Sequence, residues 1–375
     1  MNKSLLWHSL STKLVLIFLA FIVASASFSG FFEKWNFRDG TRMSGMRTVD
    51  GTAYRPFVYR QLLPSMARFA EKVTPPSINK KFQDWLAQDP MRRNMIYRYF
   101  PNATDSADVK YAVRYYTLYS LTFASLFFAI FAIRALCYEL YADMPAATLA
   151  AFTMALLLPV FMTEGGFFYD MPELLFMALA VLLAIKGRIV LLAIAVALAT
   201  VNKESFLLFV LTLFPFLRTR FSLRATLVIE AILLGIALVI NLLIKMYYAD
   251  NPGDLVQTQL LSHIKWLLHP SAYMEFEVNY SMPTPKGFNI VHLILIALVA
   301  GNAWRYLSPT IRQHFWIAFI INFPLFLAFC YRGELRNLSM LYVTLVLMIC
   351  INISMFLQRW YRGKVFFPSS VKEQG

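Results

Sequence analysis

Charge is scarce in this sequence. Only 15% of its 375 residues are Asp, Glu, Lys or Arg, against about 25% in a soluble domain, while 59% are hydrophobic. That shortage excludes an ordinary soluble fold and leaves a membrane protein. Cysteine is scarce too. Cys137, Cys330 and Cys350 stand singly in apolar runs, which excludes a disulfide framework or thiolate metal site and leaves small buried hydrophobes. His263, His269 and His292 lack metal-ligand spacing, so no zinc site is expected. There is no P-loop, no dinucleotide glycine motif and no serine nucleophile elbow, so chemistry on soluble nucleotides has no support. Acids are outnumbered by bases, giving a net charge of +14. In a polytopic chain that excess serves cytoplasmic loops and lipid headgroups rather than nucleic acid.

What is present in quantity is hydrophobic sequence. Ten segments stand out, at 14–32, 115–137, 146–162, 172–185, 189–201, 205–217, 225–247, 290–305, 313–331 and 338–357. They predict an all-α polytopic membrane protein with about ten transmembrane segments, residues 1–375 forming one integral membrane domain. Several fall short of the roughly 20 residues a perpendicular span needs. The first reads as a span rather than a cleaved signal peptide, since its apolar run is long and no small-x-small site follows. If every segment crosses, the clusters at Lys186-Gly187-Arg188, Arg218 to Arg224, Arg305 with Arg312, and Arg359 to Lys364 share one side. The positive-inside rule makes that side the cytoplasm, with both termini there.

The outer side then receives the long first loop 33–112, the short loops 163–170, 202–204 and 332–337, and a second long loop, 248–289. The first loop is itself basic, but long loops translocate largely regardless of charge. Between Pro56 and Val73 the apolar residues Phe57, Leu62, Leu63, Met66, Phe69 and Ala70 recur at helical spacing, predicting an interfacial helix. A second is expected over 77–88 and a third surface stretch over 255–268, anchored by Trp266. The segments 189–201 and 205–217 form a short hairpin broken at Asn202-Lys203-Glu204-Ser205. Polar residues at such depth are costly unless they line a wet cavity or meet a substrate.

Charged groups from distant segments thus converge on the outer face. The stretch DGTAYRPFVYRQLLP supplies Asp50, Arg55, Tyr59 and Arg60, with Asp39 just before it. Asp170 comes from TEGGFFYDMPELLF, Lys203 and Glu204 from the hairpin tip, and Glu334 and Arg336 from YRGELRN. Such a set suits transfer of a sugar from a lipid phosphate. A carboxylate takes the proton of an attacking hydroxyl, and Arg and Lys stabilise the departing phosphate. Each residue also has a plainer reading. Arg55 and Arg60 suit lipid headgroups, Asp39 and Asp50 suit Asp-Gly turns, and Asp170 suits a helix N-cap before Pro172. Lys203 with Glu204, and Glu334 with Arg336, suit local ion pairs.

With its single span before a long acidic-bearing loop, its hairpin broken at VNKES, and the stretches RPFVYRQLLP, FYDMPELLF and GELRN, the chain resembles a GT-C superfamily glycosyltransferase. The likeness covers most of the chain as architecture, and its motifs are loose. It implies inverting transfer of a sugar from a polyprenyl-phosphate donor to a cell-envelope glycan or lipid acceptor, outside a bacterial cytoplasmic (inner) membrane. It implies no tightly bound cofactor, although some members of the superfamily use a divalent metal. No adjacent acidic pair, as several GT-C families carry, stands in the first loop. The base is therefore chosen among Asp50, Asp39 and Glu33, in that order. Two other readings compete: a polysaccharide polymerase or ligase, and a transporter or lipid flippase.

Overall fold

The computed structural model describes residues 3–254 and 258–365; residues 255–257, the start of the expected 255–268 surface stretch, lie outside the described residues. Helix α1 (Lys3–Trp35) leads into the first loop, which holds α2 (Leu62–Val73) and α3 (Pro76–Gln88). Next come α4 (Ala112–Tyr141), α5 (Met144–Phe161), α6 (Asp170–Ile185), α7 (Ile189–Asn202) and two half-helices, α8 (Phe206–Leu211) and α9 (Phe214–Arg218). After α10 (Leu223–Tyr247) a loop carries α11 (Leu260–Leu267) and an antiparallel hairpin, β1 (Phe276–Asn279) with β2 (Met282–Pro285). The chain continues through α12 (Ile290–Ala303), α13 (Pro309–Phe329) and α14 (Tyr342–Val365).

The chain is a mostly helical membrane protein, and the β-hairpin is the one departure among the described residues from the expected all-α fold. Six stretches, in α1, α4, α5, α10, α13 and the 335–360 segment that includes α14, are long and apolar enough to cross a bilayer. The other four expected segments are helical but short. The 14 residues of α7, at about 1.5 Å each, cover about 21 Å of a hydrocarbon core roughly 30 Å thick.

Small side chains explain how the bundle packs. In lipid no hydrophobic drive joins two helices, so close backbone approach must supply the attraction. Ala146, Ala147, Ala150, Ala151 and Ala155 repeat at helical spacing along α5 and are fully buried where it meets α1, α4 and α14. Pro159 lacks the N–H that would reach the Ala155 carbonyl, and Ser27 of α1 donates to that oxygen at 2.6 Å instead. Asp143 caps the start of α5 through the Ala146 N–H, and Ser354 of α14 donates to the same carboxylate.

At one end of the bundle the loops lock together. Trp35 donates to the Met162 carbonyl, Gln61 to the Thr48 and Val58 carbonyls, and the Gln61 N–H to Val201 at the end of α7. The first loop, the 163–169 loop, the α7–α8 break and the 330–338 turn therefore meet at a common place.

Candidate functional site

The meeting point is a buried charged cluster. Asp170 opens α6 and accepts the Phe167 N–H at 2.9 Å, while Glu173 lies a turn further in. Both carboxylates sit at the helix N-terminal end, where free N–H groups favour negative charge. Lys203, from the α7–α8 break, brings Nζ to 2.7 Å from Glu173 and 3.6 Å from Asp170. Arg336 comes from the turn before α14. Its Nη1 lies 3.0 Å and 3.3 Å from the two Asp170 oxygens, and its Nη2 lies 2.5 Å from Glu334. Ser339 donates to Glu173 at 2.9 Å. Arg60 grips Glu204 with a planar fork, Nε to Oε2 at 3.1 Å and Nη2 to Oε1 at 2.6 Å. Burial works against the Arg60 charge, and the Glu204 carboxylate more than offsets it, so the guanidinium pKa stands above its usual value.

Aromatic rings hold the cations. Phe57 stacks on Phe167 at 5.2 Å and Phe167 on Tyr169 at 5.0 Å. The Arg336 guanidinium lies 4.7 Å from the Phe167 ring centre, and that of Arg60 lies 4.8 Å from Tyr169. Arg38 joins them, 4.0 Å from Trp35 and 4.8 Å from Phe167, and makes no ion pair among the described residues. Two donors are left over: Arg60 Nη1 and Arg336 Nε are buried without an acceptor. A buried N–H lacking an acceptor is costly, so each of these donors, on a charged group beside one stack of rings, would be stabilised by an acceptor oxygen. The carboxylates, by contrast, are each committed to a cation. Among the described residues no group of three or more His, Cys, Asp or Glu side chains could hold a metal ion, and the cluster does not fit a divalent cation.

Of the residues singled out in the sequence, the structure brings together Arg60, Asp170, Lys203, Glu204, Glu334 and Arg336. Lys203 and Glu204 do not pair with each other; they reach opposite partners. Glu334 and Arg336 do form a local pair, and Asp170 does organise the start of α6, but Arg336 joins those two features into one network. Asp50 lies apart. It is held by Arg114 Nη1 at 2.5 Å and the Tyr111 hydroxyl at 2.9 Å, and Arg114 also binds Glu71. Arg55 spends its two terminal nitrogens on the carbonyls of Ala249 and Gly253, clamping the first loop to the turn after α10. The Tyr59 ring is buried with Val58 and Tyr248, its hydroxyl without a partner. Glu33 is exposed on α1.

Asp39 occupies a pocket of its own beside Arg38. Its Oδ2 accepts the Tyr115 hydroxyl at 2.8 Å and the Asp105 N–H at 2.9 Å, while Oδ1 is buried and unpartnered. Burial, then the neighbouring Asp105 carboxylate, push its pKa up to about 7. Sequence reasoning missed Arg38, Glu173, Phe167, Tyr169 and Ser339. Only Glu173 carried a signal, standing one helical turn after Asp170. No family model matches the chain, and no curated protein or solved structure matches it.

Gly165 is where the cluster leaves no room. A Cβ there would stand 2.8 Å from Glu334 Oε1, 3.1 Å from Arg38 Nη2 and 3.3 Å from Arg336 Nε. Gly165→Ala is expected to cost about 1–3 kcal/mol in thermal unfolding of the purified protein. An unchanged midpoint would mean that the three charged groups part freely.

Proposed function

We propose that this chain is a membrane glycosyltransferase that moves a sugar from a polyprenyl-phosphate donor to a cell-envelope glycan or lipid acceptor. In this reading the chain crosses a bacterial cytoplasmic membrane about ten times, with both termini inside, α2 and α3 at the interface, and the charged cluster outside. The observation that carries it is the pair of unpartnered guanidinium donors, Arg60 Nη1 and Arg336 Nε, at the end of a membrane bundle. A phosphate on a lipid carrier offers acceptor oxygens at that depth, and each guanidinium, held by its carboxylate, keeps one nitrogen to donate to it.

The chemistry balances with groups already present. An acceptor hydroxyl attacks the anomeric carbon, its proton passes to a carboxylate, and the carbon–phosphate oxygen bond breaks with its electron pair leaving on phosphate. Arg60 and Arg336 stabilise that charge, and the Phe167 and Tyr169 rings are the surface on which they are fixed. The base is Asp39 rather than Asp50. A pKa near 7 suits proton removal at neutral pH, whereas the Asp50 carboxylate is tied to Arg114.

The broken segment α7–α9, with Lys203 and Glu204 at its break, favours one other reading. Discontinuous helices with charged breaks also hold substrates in transporters. The glycosyltransferase reading needs a lipid phosphate at Arg60, and a transporter of other solutes does not. Arg60→Lys keeps the charge but has no second nitrogen for phosphate once Glu204 holds its ammonium, and is expected to weaken polyprenyl phosphate binding about tenfold or more, measured by native mass spectrometry. Binding equal to the wild type would leave Arg60 as a structural partner of Glu204.

A further inference from the structure

The β1–β2 hairpin is inside out for a loop facing water. Phe276 and Val278 are 59% and 66% exposed, as is Pro283 across from Val278, while Asn279 is buried and Glu277 and Thr284 are partly covered. Alternation along a strand sends successive side chains to opposite faces, so the polar face turns to the protein and the apolar face away from it. Tyr280 and Ser281 form the turn, both with positive φ (51° and 57°), the geometry of a tight hairpin.

The polar face is fastened along a line. At the tip, the Tyr280 hydroxyl donates to the Leu156 carbonyl at 2.9 Å, and its ring fills the space over Gly30, where a Cβ would stand 2.8 Å away. Leu156 is inside α5, which ends at Phe161, so the tip reaches roughly 7–8 Å down the bundle. Midway, Glu277 pairs with Lys34 at 2.6 Å, and Lys34 donates to the Thr163 carbonyl. At the root, Lys286 pairs with Glu164 at 2.6 Å, and Gly287 packs on Gly333, next to Glu334 of the charged cluster. The apolar face continues into α12, whose Ile290, Val291, Ile294 and Leu295 are also exposed.

We propose that this hairpin is a flap lying in the bilayer. Lipid acyl chains cover Phe276, Val278 and Pro283, and the tip seals the seam between α1 and α5 over Ser27 and Gly30. Depth and continuity choose lipid as the occupant. An apolar face that descends alongside α1 and α5 and runs on into α12 meets hydrocarbon, and its ionic groups are all turned inward to partners, as lipid requires. The proposal stands apart from sugar transfer, and neither arm of its test reads activity.

Spin labels at Phe276→Cys and Val278→Cys, on a Cys330→Ser background in phosphatidylcholine nanodiscs, are expected to collide with oxygen more than with a water-soluble nickel complex. Greater access to nickel overturns the proposal, as does protection from both probes, which would mean a protein occupant such as a second copy. For the seal, Ser27→Cys, fully buried beneath the tip, is expected to react with a maleimide about tenfold faster once Tyr280→Ala removes the tip's hydrogen bond. Gly30→Ala, which displaces the ring without touching the hairpin, is expected to act in the same direction. Equal reactivity in all three proteins would overturn the seal, since the tip would then cover nothing that water reaches without it.

Discussion

Arg336→Ala is expected to be the most damaging single change in the cluster, costing about 3–5 kcal/mol, because it strips a buried cation from the buried Asp170 and the partly buried Glu334. Asp170 would lose both of its guanidinium contacts and Glu334 its 2.5 Å partner, with only Lys203, 3.6 Å away, left near Asp170. Lys at this position has one ammonium where Arg uses two nitrogens, so Arg336→Lys is expected to recover part of the loss. The check is thermal unfolding of the detergent-purified protein, with size exclusion to confirm that it remains monodisperse. Adding Asp170→Asn to Arg336→Ala removes the unpaired charge and is expected to restore stability beyond additivity. An Arg336→Ala protein as stable as the wild type would mean that water already reaches the cluster.

The second large effect tests the proposed base. Asp39→Asn is expected to lower transfer by about 10²–10⁴, the usual cost of losing a general base, while the protein still inserts and folds. The acid is needed in its ionised form, so the wild-type rate should rise as pH climbs through about 7. Stability should move the other way. The folded-state pKa lies above the ordinary carboxylate value of 3.8, so the folded protein holds the proton more tightly. The contribution is complete below that ordinary value and is lost as pH rises through about 7. Asp39→Asn should flatten both slopes. Asp50→Asn is expected to act differently, loosening the Arg114 junction between the first loop and α4 without moving the rate profile's midpoint. A profile whose midpoint shifts in Asp50→Asn but not in Asp39→Asn would reverse the two assignments.

Hydropathy made the helical segments legible because lipid demands long unbroken apolar runs. It also showed 172–185, 189–201 and 205–217 to be short, but not that the last divides into α8 and α9, since composition does not report a break inside an apolar run. The convergence of Arg60, Asp170, Lys203, Glu204, Glu334 and Arg336 was readable because each stands at the end of an apolar run on the same side. Their pairing was not. Lys203 has extended backbone (φ −155°, ψ 126°), which sends it and Glu204 to opposite faces, whereas adjacency suggested a pair. Asp50 looked free because nothing in the sequence says that Arg114, 64 positions later, folds back onto it. The hairpin was hidden as well. Its turn is Tyr-Ser rather than Asn-Gly, and Pro283 and Pro285 argue against a strand until it is seen to be a free edge.

The most direct measurement of the central claim uses purified protein in proteoliposomes, loaded with a polyprenyl-phosphate donor whose sugar is radiolabelled and mixed with acceptor-bearing envelope lipids. The wild type should move label from the donor into the acceptor fraction, releasing polyprenyl phosphate in equal amount, and Asp39→Asn should not. Label that crosses the vesicle membrane still attached to its polyprenyl carrier, with none reaching acceptor, would contradict a glycosyltransferase and leave a transporter.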